Sequence, residues 1–284
     1  MDTGGNKFTM KDLRLARQSG TKVAMLTCYD FTMARLMSEA GVRAMLVGDS
    51  AANVILGHAT TLPISAEFLI ELTAAVRRGA PQALVVADMP FGSYQRSAAQ
   101  GVKNVCRMVQ HSGCDCVKLE LTARQSELVR RLADSGVAVM GHLGLRPQTV
   151  GLMGGYRAQA RTPREIEFLV KEAAALEKAG AAAILLEAVP AAAARAVIEA
   201  VGLPVMGCGA GPDCHGHVVV AHDALGLTEN PPRFVPVLGD MASALKDCFA
   251  DYVRRIADGK YPEAQHEYEM SVKPSAAGAA EQVK

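Results

Sequence analysis

The sequence predicts an α/β protein that folds as one (β/α)8 TIM barrel. Short apolar runs rich in β-branched residues alternate along the chain with segments that carry helix start and stop signals. Most of these apolar runs are continuous, which is typical of parallel strands buried on both faces. The length of 284 residues is also typical of a single barrel of this kind.

The predicted strands are eight apolar runs, and each of them except the last is clearly followed by a helix or a long loop. Polar or glycine residues stand at their ends, where a buried strand gives way to a connection. The runs are residues 22–27, 44–48, 83–87, 116–119, 137–140, 182–186, 204–207 and 233–237.

The predicted helices between the strands carry explicit capping signals. Thr162 is placed to be an N-cap, with Pro163 at the first helical position. Glu165 completes a capping box, and Gly180 follows the end of this helix. Three other helices are marked in the same way: Asp30 precedes one that ends at Gly41, Ser97 and Gln100 open one that ends at Gly113, and Thr122 and Gln125 open one that ends at Gly136.

A doubly wound open sheet is the rival fold. It would be favoured by a G-x-G-x-x-G loop after the first strand, but residues 27–30 read T-C-Y-D. We therefore expect a single barrel domain over residues 1–284, with a short frayed N-terminus and a small polar tail over about 274–284.

Composition excludes several classes of function. The 30 Lys and Arg residues nearly cancel the 29 Asp and Glu residues, which argues against a nucleic-acid partner or an anionic membrane surface. The absence of Trp argues against base-stacking surfaces. No run approaches the roughly 20 apolar residues of a transmembrane helix, and no secretory signal is visible. Seven cysteines in a chain that needs no disulfides predict reduced thiols in the cytoplasm.

Titratable residues directly follow five consecutive predicted strands. The active site of a (β/α)8 barrel lies at the C-terminal ends of its strands. Acidic groups that converge there repel one another unless a cation or a proton lies among them. Helix caps or salt-bridged rim residues are the alternative, but they explain one such position better than five in succession. The five residues are Asp49, Asp88, Glu120, His142 and Glu187.

These acidic residues predict a site for a hard cation. Asp49 and Asp88 follow adjacent strands, so their oxygens could share one Mg²⁺, an ion that binds one or two carboxylates and keeps positions for water and substrate. Glu120 could be a third ligand or hold a metal-bound water. Lys118 shares a strand face with Glu120, and its cation could hold a substrate carboxylate or a developing enolate.

Ten short motifs occur in a fixed order between about Phe8 and His266. With them the sequence resembles the ketopantoate hydroxymethyltransferase family over nearly the whole chain. The motifs are T-C-Y-D at 27–30, M-L-V-G-D-S at 45–50, G-H-A-T-T-L-P-I at 57–64, A-A-V-R-R-G-A-P at 74–81, A-D-M-P-F at 87–91, V-K-L-E at 117–120, G-H-L-G-L-R-P-Q at 141–148, G-G-Y-R-A-Q-A-R at 154–161, L-L-E-A-V-P at 185–190 and G-C-G-A-G at 207–211.

The resemblance implies a phosphoenolpyruvate/pyruvate-like barrel and an enzyme of pantothenate biosynthesis. The implied reaction transfers a hydroxymethyl group from 5,10-methylenetetrahydrofolate to 3-methyl-2-oxobutanoate (2-oxoisovalerate) and gives 2-dehydropantoate (ketopantoate) through a Mg²⁺-stabilised enolate. Self-association into a ring of dimers, often a homodecamer, is implied as well. Matched residue by residue, the family's metal positions fall on Asp49, Asp88 and Glu120, its oxoacid-binding positions on Asp49, Ser50, Asp88 and Lys118, its proton acceptor on Glu187 and its active-site histidine on His142.

The sequence departs from the family pattern in two segments that we expect in loops around the barrel mouth. The pattern G-D-S-L-G-M is expected where Ala51, Ala52 and Asn53 follow G-D-S, and G-I-G-A-G followed by T-D-G-Q is expected in the second segment. All proposed metal and proton-transfer residues are retained, so the departures bear on cosubstrate affinity or efficiency. In the second segment the differing residues are Cys208, Cys214, His215 and His217.

Other functions stay open at this point. A Mg²⁺-dependent 2-oxoacid lyase or mutase could use the same barrel, although such enzymes carry a cysteine-containing loop such as K-K-C-G-H, which this chain lacks. A non-catalytic ligand-binding scaffold is a second alternative, against which the retained acidic set counts. His142 could assist proton transfer, orient substrate or be structural.

Three further motifs have weaker interpretations. The group His111, Cys114 and Cys116 lacks the paired spacing of a zinc site. The glycine run at 207–211 indicates a tight turn or a close approach to the folate more than a phosphate loop. Residues 154–157 form either a mobile lid or an ordered loop at a subunit contact.

Overall fold

Eight parallel strands close into a barrel in which each strand pairs with its neighbours along the chain and the last pairs with the first. The computed structural model describes residues 6–269. The closed sheet confirms the predicted (β/α)8 barrel and excludes the open sheet. The strands are β1 (Val23–Thr27), β2 (Ala44–Val47), β3 (Leu84–Asp88), β4 (Cys116–Glu120), β5 (Val139–Gly144), β6 (Ala183–Glu187), β7 (Val205–Cys208) and β8 (Gly216–Val219).

The first seven strands confirm the predicted runs within a few residues, but the prediction of the eighth is wrong. Residues 233–237 lie in turns and irregular backbone, and β8 is formed by residues predicted to be loop. Pro231, Pro232 and Pro236 explain the first error, because proline cannot donate to a strand ladder. The second error arises because β8 is short and its His217 is exposed, so its apolar run is only Val218 to Val220.

Outer helices surround the barrel, and the predicted capping signals begin and end them. The Oγ1 atom of Thr162 accepts the Glu165 N–H at 3.3 Å, and Glu165 Oε2 accepts the Thr162 N–H at 2.9 Å. The helices of this part are α1 (Met10–Ser19), α2 (Phe31–Glu39), α3 (Ala51–Val54), α4 (Ala66–Gly79), α5 (Ala98–Ser112), α6 (Ser126–Asp134), α7 (Val150–Met153), α8 (Pro163–Lys178), α9 (Ala191–Ala200) and α10 (Ala221–Ala224).

The apolar core has two layers. The larger one lies between the strands and the outer helices. The smaller one fills the barrel interior and includes Leu13 and Ala16 of α1. Because Phe8 N–H donates to Gln82 O just before β3, and Arg17 Nη2 donates to Val201 O before β7, α1 closes the N-terminal end of the barrel. The C-terminal end stays available for a site.

The strand register brings the predicted site residues side by side at that end. Asp88 lies opposite Lys118, and Glu120 lies opposite His142. Glu187 lies opposite Gly144 on one side and Cys208 on the other. The register therefore agrees with the prediction that these residues lie at the ends of consecutive strands.

The chain divides into two compact units, of which the first ends at Gly239 and contains the barrel. The second begins at Asp240 and contains α11 (Met241–Ala257), none of whose residues is buried. The single domain over residues 1–284 stays a prediction, and the predicted tail at about 274–284 lies outside the described residues. Between residues 6 and 269 no helix is long and apolar enough to cross a membrane.

Candidate active site

The mouth of the barrel holds a group of buried charged side chains. Asp49, Asp88, Lys118, Glu120 and His142 are each 6% exposed or less. Charged residues are almost never buried this far unless they are paired or serve a ligand. These five side chains are therefore not exposed rim residues.

A chain of contacts crosses the mouth from β3 to β6. The ammonium group of Lys118 lies 3.0 Å from Asp88 Oδ1 and 3.1 Å from His142 Nδ1. On the other side of the imidazole, His142 Nε2 lies 3.2 Å from Glu187 Oε2. The carboxyl group at the end of β3 is thus connected to the carboxyl group at the end of β6 through two side chains.

A second network joins the other two carboxylates to the loop after β5. The backbone N–H of Asp49 donates to Asp88 Oδ2 at 2.9 Å. Gln148 donates from Nε2 to Asp49 Oδ2 at 2.9 Å and from its backbone N–H to Glu120 Oε2 at 3.0 Å. Asp49 and Glu120 are therefore each held through one oxygen, whereas both oxygens of Asp88 have a partner.

Two glycines lie at close approaches beside the site, and the backbone requires glycine at Gly144. A Cβ atom on Gly48 would lie 2.8 Å from Ser50 Oγ and 3.4 Å from Asp88 Oδ2. A Cβ atom on Gly144 would lie 2.4 Å from the carbonyl oxygen of Glu187, and Gly144 also has a φ of +86°. The residue after Glu187, Ala188, adopts a φ of 47°, which costs a non-glycine residue about 1–2 kcal/mol. Local backbone is thus adapted to the position of the Glu187 carboxyl group.

Burial changes the ionisation of the carboxyl groups. It raises the pKa of Asp88 to about 7, against the opposing attraction of Lys118. Burial together with the charge of Asp49 raises the pKa of Glu120 to about 9. Burial raises the pKa of Glu187 to about 7. The four carboxyl groups of the site face one ammonium group, so the site lacks positive charge.

Lys118 and His142 respond to burial in different ways. Burial opposes the charged form of Lys118, but the carboxylates of Asp88, Asp49 and Glu120 outweigh it and raise the pKa of Lys118. Burial and the charge of Lys118 hold the pKa of His142 well below its usual value, so the imidazole is neutral. Because an ammonium group can only donate, Nδ1 of His142 accepts from Lys118 and the ring proton lies on Nε2, towards Glu187.

The acidic set fits a hard cation by its chemistry. In the described part of the chain, Glu120 Oε1 is buried without a hydrogen-bond partner, and the only ion-pair partner of Asp88 Oδ1 is the Lys118 ammonium. Carboxylate oxygens are the ligands that Mg²⁺ prefers. Among residues 6–269, no three His, Cys, Asp or Glu side chains already stand in ligand geometry around one point. Mg²⁺ keeps several waters and needs only one or two protein carboxylates, so a closed protein cage is not required.

The remaining predicted residues are placed as follows. Ser50 Oγ lies 2.8 Å from the hydroxyl of Tyr29, next to Asp49. Ala51, Ala52 and Asn53 lie in α3, so the expectation of a loop is wrong for the first departure; Ala51 and Ala52 are buried, and Asn53 donates to His58 O at 2.8 Å. Cys208 ends β7 beside Glu187 at the mouth.

The placement of the second departure at the mouth is wrong for three of its residues. Cys214 and His215 immediately precede β8, and His217 lies near its start. The His215 carbonyl accepts the N–H of Val23 at the beginning of β1, which is the N-terminal end of the barrel. The error follows from the misplaced eighth strand, because residues 208–217 hold the whole connection from the C-terminal end of β7 to the N-terminal end of β8.

Two residues of the site were not predicted from the sequence. Gln148 and Tyr94 are both buried; Gln148 links the carboxylates of Asp49 and Glu120, and Tyr94 joins the Glu120 backbone to the Gln148 side chain. Gln148 follows β5 by four residues and is the last residue of the motif at 141–148, which could have drawn attention to it. Tyr94 lies in the loop after β3, and no local pattern marks it.

Sequence comparison identifies relatives along most of the chain. A family model described as ketopantoate hydroxymethyltransferase matches residues 7–264. A protein of Acidothermus cellulolyticus named 3-methyl-2-oxobutanoate hydroxymethyltransferase is 44% identical over 263 residues, which are 92% of this chain and 97% of the relative. A protein of the same name from Heliobacterium modesticaldum is 40% identical over 265 residues, which are 93% of this chain and 96% of the relative.

Solved structures share the barrel at much lower identity. Phosphonopyruvate hydrolase superposes with a TM-score of 0.60 at 14% identity and covers 93% of this chain and 92% of its own. Another structure of that protein, a complex with oxalate and Mg²⁺, has a TM-score of 0.57 at 14% identity over 91% of this chain and 93% of its own. A 2,3-dimethylmalate lyase of the PEP mutase/isocitrate lyase superfamily has a TM-score of 0.58 at 16% identity, over 90% of this chain and 92% of its own. These likenesses concern the fold alone.

Proposed function

The chain belongs to the ketopantoate hydroxymethyltransferase family and is a hydroxymethyltransferase, and from this premise we propose how its own residues carry out the transfer. The small-molecule acceptor is 3-methyl-2-oxobutanoate and the product is ketopantoate. The observation that carries the proposal is the contact chain Asp88–Lys118–His142–Glu187, which joins the cation side of the mouth to a carboxyl group on β6.

Asp49, Asp88 and Glu120 would hold Mg²⁺. The unpartnered oxygen of Glu120 and the four carboxyl groups that face a single ammonium group support this assignment. A barrel of the same fold that binds Mg²⁺ together with oxalate, a small dicarboxylate, agrees with it. When bound, the ion supplies a Lewis acid that makes the proton beside the keto group of a 2-oxoacid more acidic.

The oxoacid would lie among Asp49, Ser50, Asp88 and Lys118. Lys118 remains charged in this site because the surrounding carboxylates raise its pKa. Its ammonium group would therefore attract the substrate carboxylate and the negative charge that develops on the keto oxygen. The carboxylates of Asp49 and Asp88 repel an anionic substrate. They would therefore act on the oxoacid through the cation that they hold.

Glu187 would be the general base. It takes the C3 proton of the oxoacid, the C3–H bond breaks, and its electron pair passes into the enolate. The enolate carbon would then form a bond to the methylene carbon of the proposed donor, 5,10-methylenetetrahydrofolate, while the bond from that carbon to one folate nitrogen breaks and this nitrogen takes the proton from Glu187. Water would replace the second folate nitrogen on the methylene carbon, which gives the hydroxymethyl group and releases tetrahydrofolate. A pKa of about 7 suits this role, because a base is most effective when its pKa lies near the working pH.

His142 would orient Glu187 without transferring the C3 proton. Its neutral ring carries the proton on Nε2, 3.2 Å from Glu187 Oε2, but in the present arrangement this contact is not aligned as a hydrogen bond. A small rotation of the carboxyl group would align it and leave the other oxygen of Glu187 free for the substrate. This assignment explains why Lys118 contacts Nδ1 of the same ring.

We also propose that the chain acts in the cytoplasm as a homodecamer, a ring of dimers, without nucleic-acid or membrane partners. All seven cysteines are free, as a reducing compartment requires. In α11 six large apolar residues are exposed at helical spacing, which is typical of a face that packs on another protein. They are Met241, Leu245, Phe249, Tyr252, Val253 and Ile256.

Product formation tests the proposed reaction. The protein is stripped of metal with a chelator and incubated with 3-methyl-2-oxobutanoate and 5,10-methylenetetrahydrofolate, and ketopantoate is measured by mass spectrometry. We expect turnover only after Mg²⁺ is restored and only with both organic substrates. Full turnover by the stripped protein would contradict the metal assignment, and a sedimentation pattern showing only a 29.9 kDa species at micromolar concentration would contradict the assembly.

A further inference from the structure

We infer that Gln148 is a positioning residue that sets the orientation of two of the three cation-side carboxylates. The inference rests on the proposed function, because it takes Asp49 and Glu120 as ligands of the ion. Gln148 lies in the loop after β5, whereas Asp49 follows β2 and Glu120 ends β4. The residue surface of Gln148 is 6% exposed.

The side chain of Gln148 uses its full hydrogen-bonding capacity. Its Nε2 donates to Asp49 Oδ2 and to the carbonyl oxygen of Met89, each at 2.9 Å. Its Oε1 accepts from the hydroxyl of Tyr94 at 2.8 Å and from Gln95 Nε2 at 3.1 Å. A buried amide with four partners has one orientation only, so this side chain is rigid.

The direction of the amide follows from its partners. The Met89 carbonyl can only accept, so the atom facing it and Asp49 must be the nitrogen. The Tyr94 hydroxyl accepts a hydrogen bond from the N–H of Glu120 at 3.2 Å and donates its own hydrogen bond to Gln148 Oε1. Tyr94 therefore connects the backbone of Glu120 to the side chain that holds Asp49.

Gln148 reaches the two carboxylates by different groups. Its side chain holds Asp49 Oδ2, and its backbone N–H holds Glu120 Oε2 at 3.0 Å. The second oxygen of Glu120 is buried and unpartnered. With one oxygen of each carboxylate engaged in this way, the other is presented to the cation in a fixed direction.

This arrangement predicts a loss of metal affinity when the side-chain contact is removed. Partners of metal ligands typically contribute about 10–100-fold to metal affinity. Gln148→Met keeps the length of the side chain and the backbone N–H but cannot donate to Asp49. Mg²⁺ requires near-ideal octahedral geometry, whereas Ca²⁺ tolerates flexible geometry, so Mg²⁺ affinity is expected to fall more than Ca²⁺ affinity.

The test measures Mn²⁺ binding to the full chain, stripped of metal and without substrate, by electron paramagnetic resonance, with Mg²⁺ and Ca²⁺ as competitors. We expect a dissociation constant about 10–100-fold higher for Gln148→Met. The matched control is Gln95→Met, which removes a contact to the far side of the same amide and should change the constant by less than about threefold. Circular dichroism confirms that each variant is folded.

Two failures are distinguishable in this experiment. If the wild-type protein does not bind Mn²⁺, the proposed function fails at its metal. If the wild type binds and folded Gln148→Met binds within about twofold of it, the role of Gln148 is overturned while the proposed function stands. Should Gln148→Met not fold, Tyr94→Phe decides: a rise of about two- to tenfold in the constant supports the role, and no change overturns it.

Discussion

The interior of the barrel changes character between its two ends. Near the N-terminal ends of the strands the inward side chains are apolar and α1 covers them, whereas two residues further along the same strands they are charged or titratable. Side chains two apart on a strand share a face, so both sets point into the same interior. The pairs are Val86 and Asp88 on β3, Cys116 and Lys118 on β4, Met140 and His142 on β5, and Leu185 and Glu187 on β6.

The difference separates what stabilises the fold from what the site requires. The lower layer contributes buried apolar area, at about 25 cal/mol per Å² removed from water. The upper layer contains carboxyl groups whose pKa values rise on burial, which means that their charged forms oppose folding. We therefore expect substitutions in the lower layer to act on stability and substitutions in the upper layer to act on metal binding and catalysis.

The largest effect is expected for Asp88→Asn in the upper layer. Loss of a direct carboxylate ligand should lower Mn²⁺ affinity and turnover by more than about 100-fold. This exceeds the loss of about 10–100-fold that is typical of groups that only hydrogen-bond to a metal ligand. Asp134→Asn, on the exposed face of α6, is the matched control and should keep both values. Metal titration and product formation on the two variants provide the measurement. Metal affinity of Asp88→Asn within tenfold of wild type would break the distinction between the layers.

Leu185→Ala is the corresponding change in the lower layer. Leu185 is 1% exposed and lies two residues before Glu187. Truncation of a buried leucine should lower the free energy of unfolding by about 2–5 kcal/mol, while the folded fraction keeps its turnover within about threefold. Leu185→Met, which nearly conserves volume, should cost less than about 1.5 kcal/mol. Urea unfolding and turnover per folded molecule measure the two effects, and a large loss of turnover with little loss of stability would contradict the assignment.

The raised pKa of Glu187 predicts opposite effects of pH on activity and on stability. The rate at low substrate should rise about tenfold per pH unit below 7 and level off above it, because only the carboxylate can accept a proton. The protonated form favours folding, so between pH 4.5 and about 7 the wild type should lose stability relative to Glu187→Gln as pH rises. Thermal unfolding of both proteins across this range checks the sign, and parallel curves would contradict the burial of this carboxyl group.

The smallest effect is expected outside both layers. Thr162→Ala removes the N-cap of α8 and should cost about 1 kcal/mol in the free energy of unfolding. Thr162 is exposed and its capping partner is Glu165, so we expect no change in metal affinity, and Thr162→Ser should restore the stability. A loss of metal affinity in Thr162→Ala would show that the outer helices contribute to the site and would require the two-layer account to be revised.

Local signals made the barrel and its capped helices predictable from the sequence. Seven of the strands are apolar runs, and the residues next to each run mark where it ends. Thr162 and Glu165, which are three residues apart, form the capping box of α8. The eighth strand was not predictable in this way. Gly216 to Val219 becomes a strand because the barrel needs a partner for both β7 and β1, which is a property of the closed sheet rather than of the segment.

The candidate site was predictable where it follows the strand ends. Asp88, Lys118 and His142 lie where their strands place them, and their contacts follow from the register. The role of Gln148 could not be predicted, because it depends on a loop that folds back over the mouth and on the hydroxyl of Tyr94 from another loop. Contacts between separate loops leave no periodic signal in one sequence.

The central claim is that Glu187 in the upper layer removes the C3 proton, and proton exchange tests it most directly. Exchange of the C3 hydrogen of 3-methyl-2-oxobutanoate for deuterium is followed by nuclear magnetic resonance in D₂O, with Mg²⁺ and without folate, for wild type and Glu187→Gln. Oxoacid affinity is measured on the same samples. We predict that exchange falls by about 10²–10⁴ in Glu187→Gln while oxoacid affinity is retained. Exchange at the wild-type rate in the variant would contradict the account and assign the proton transfer to another group.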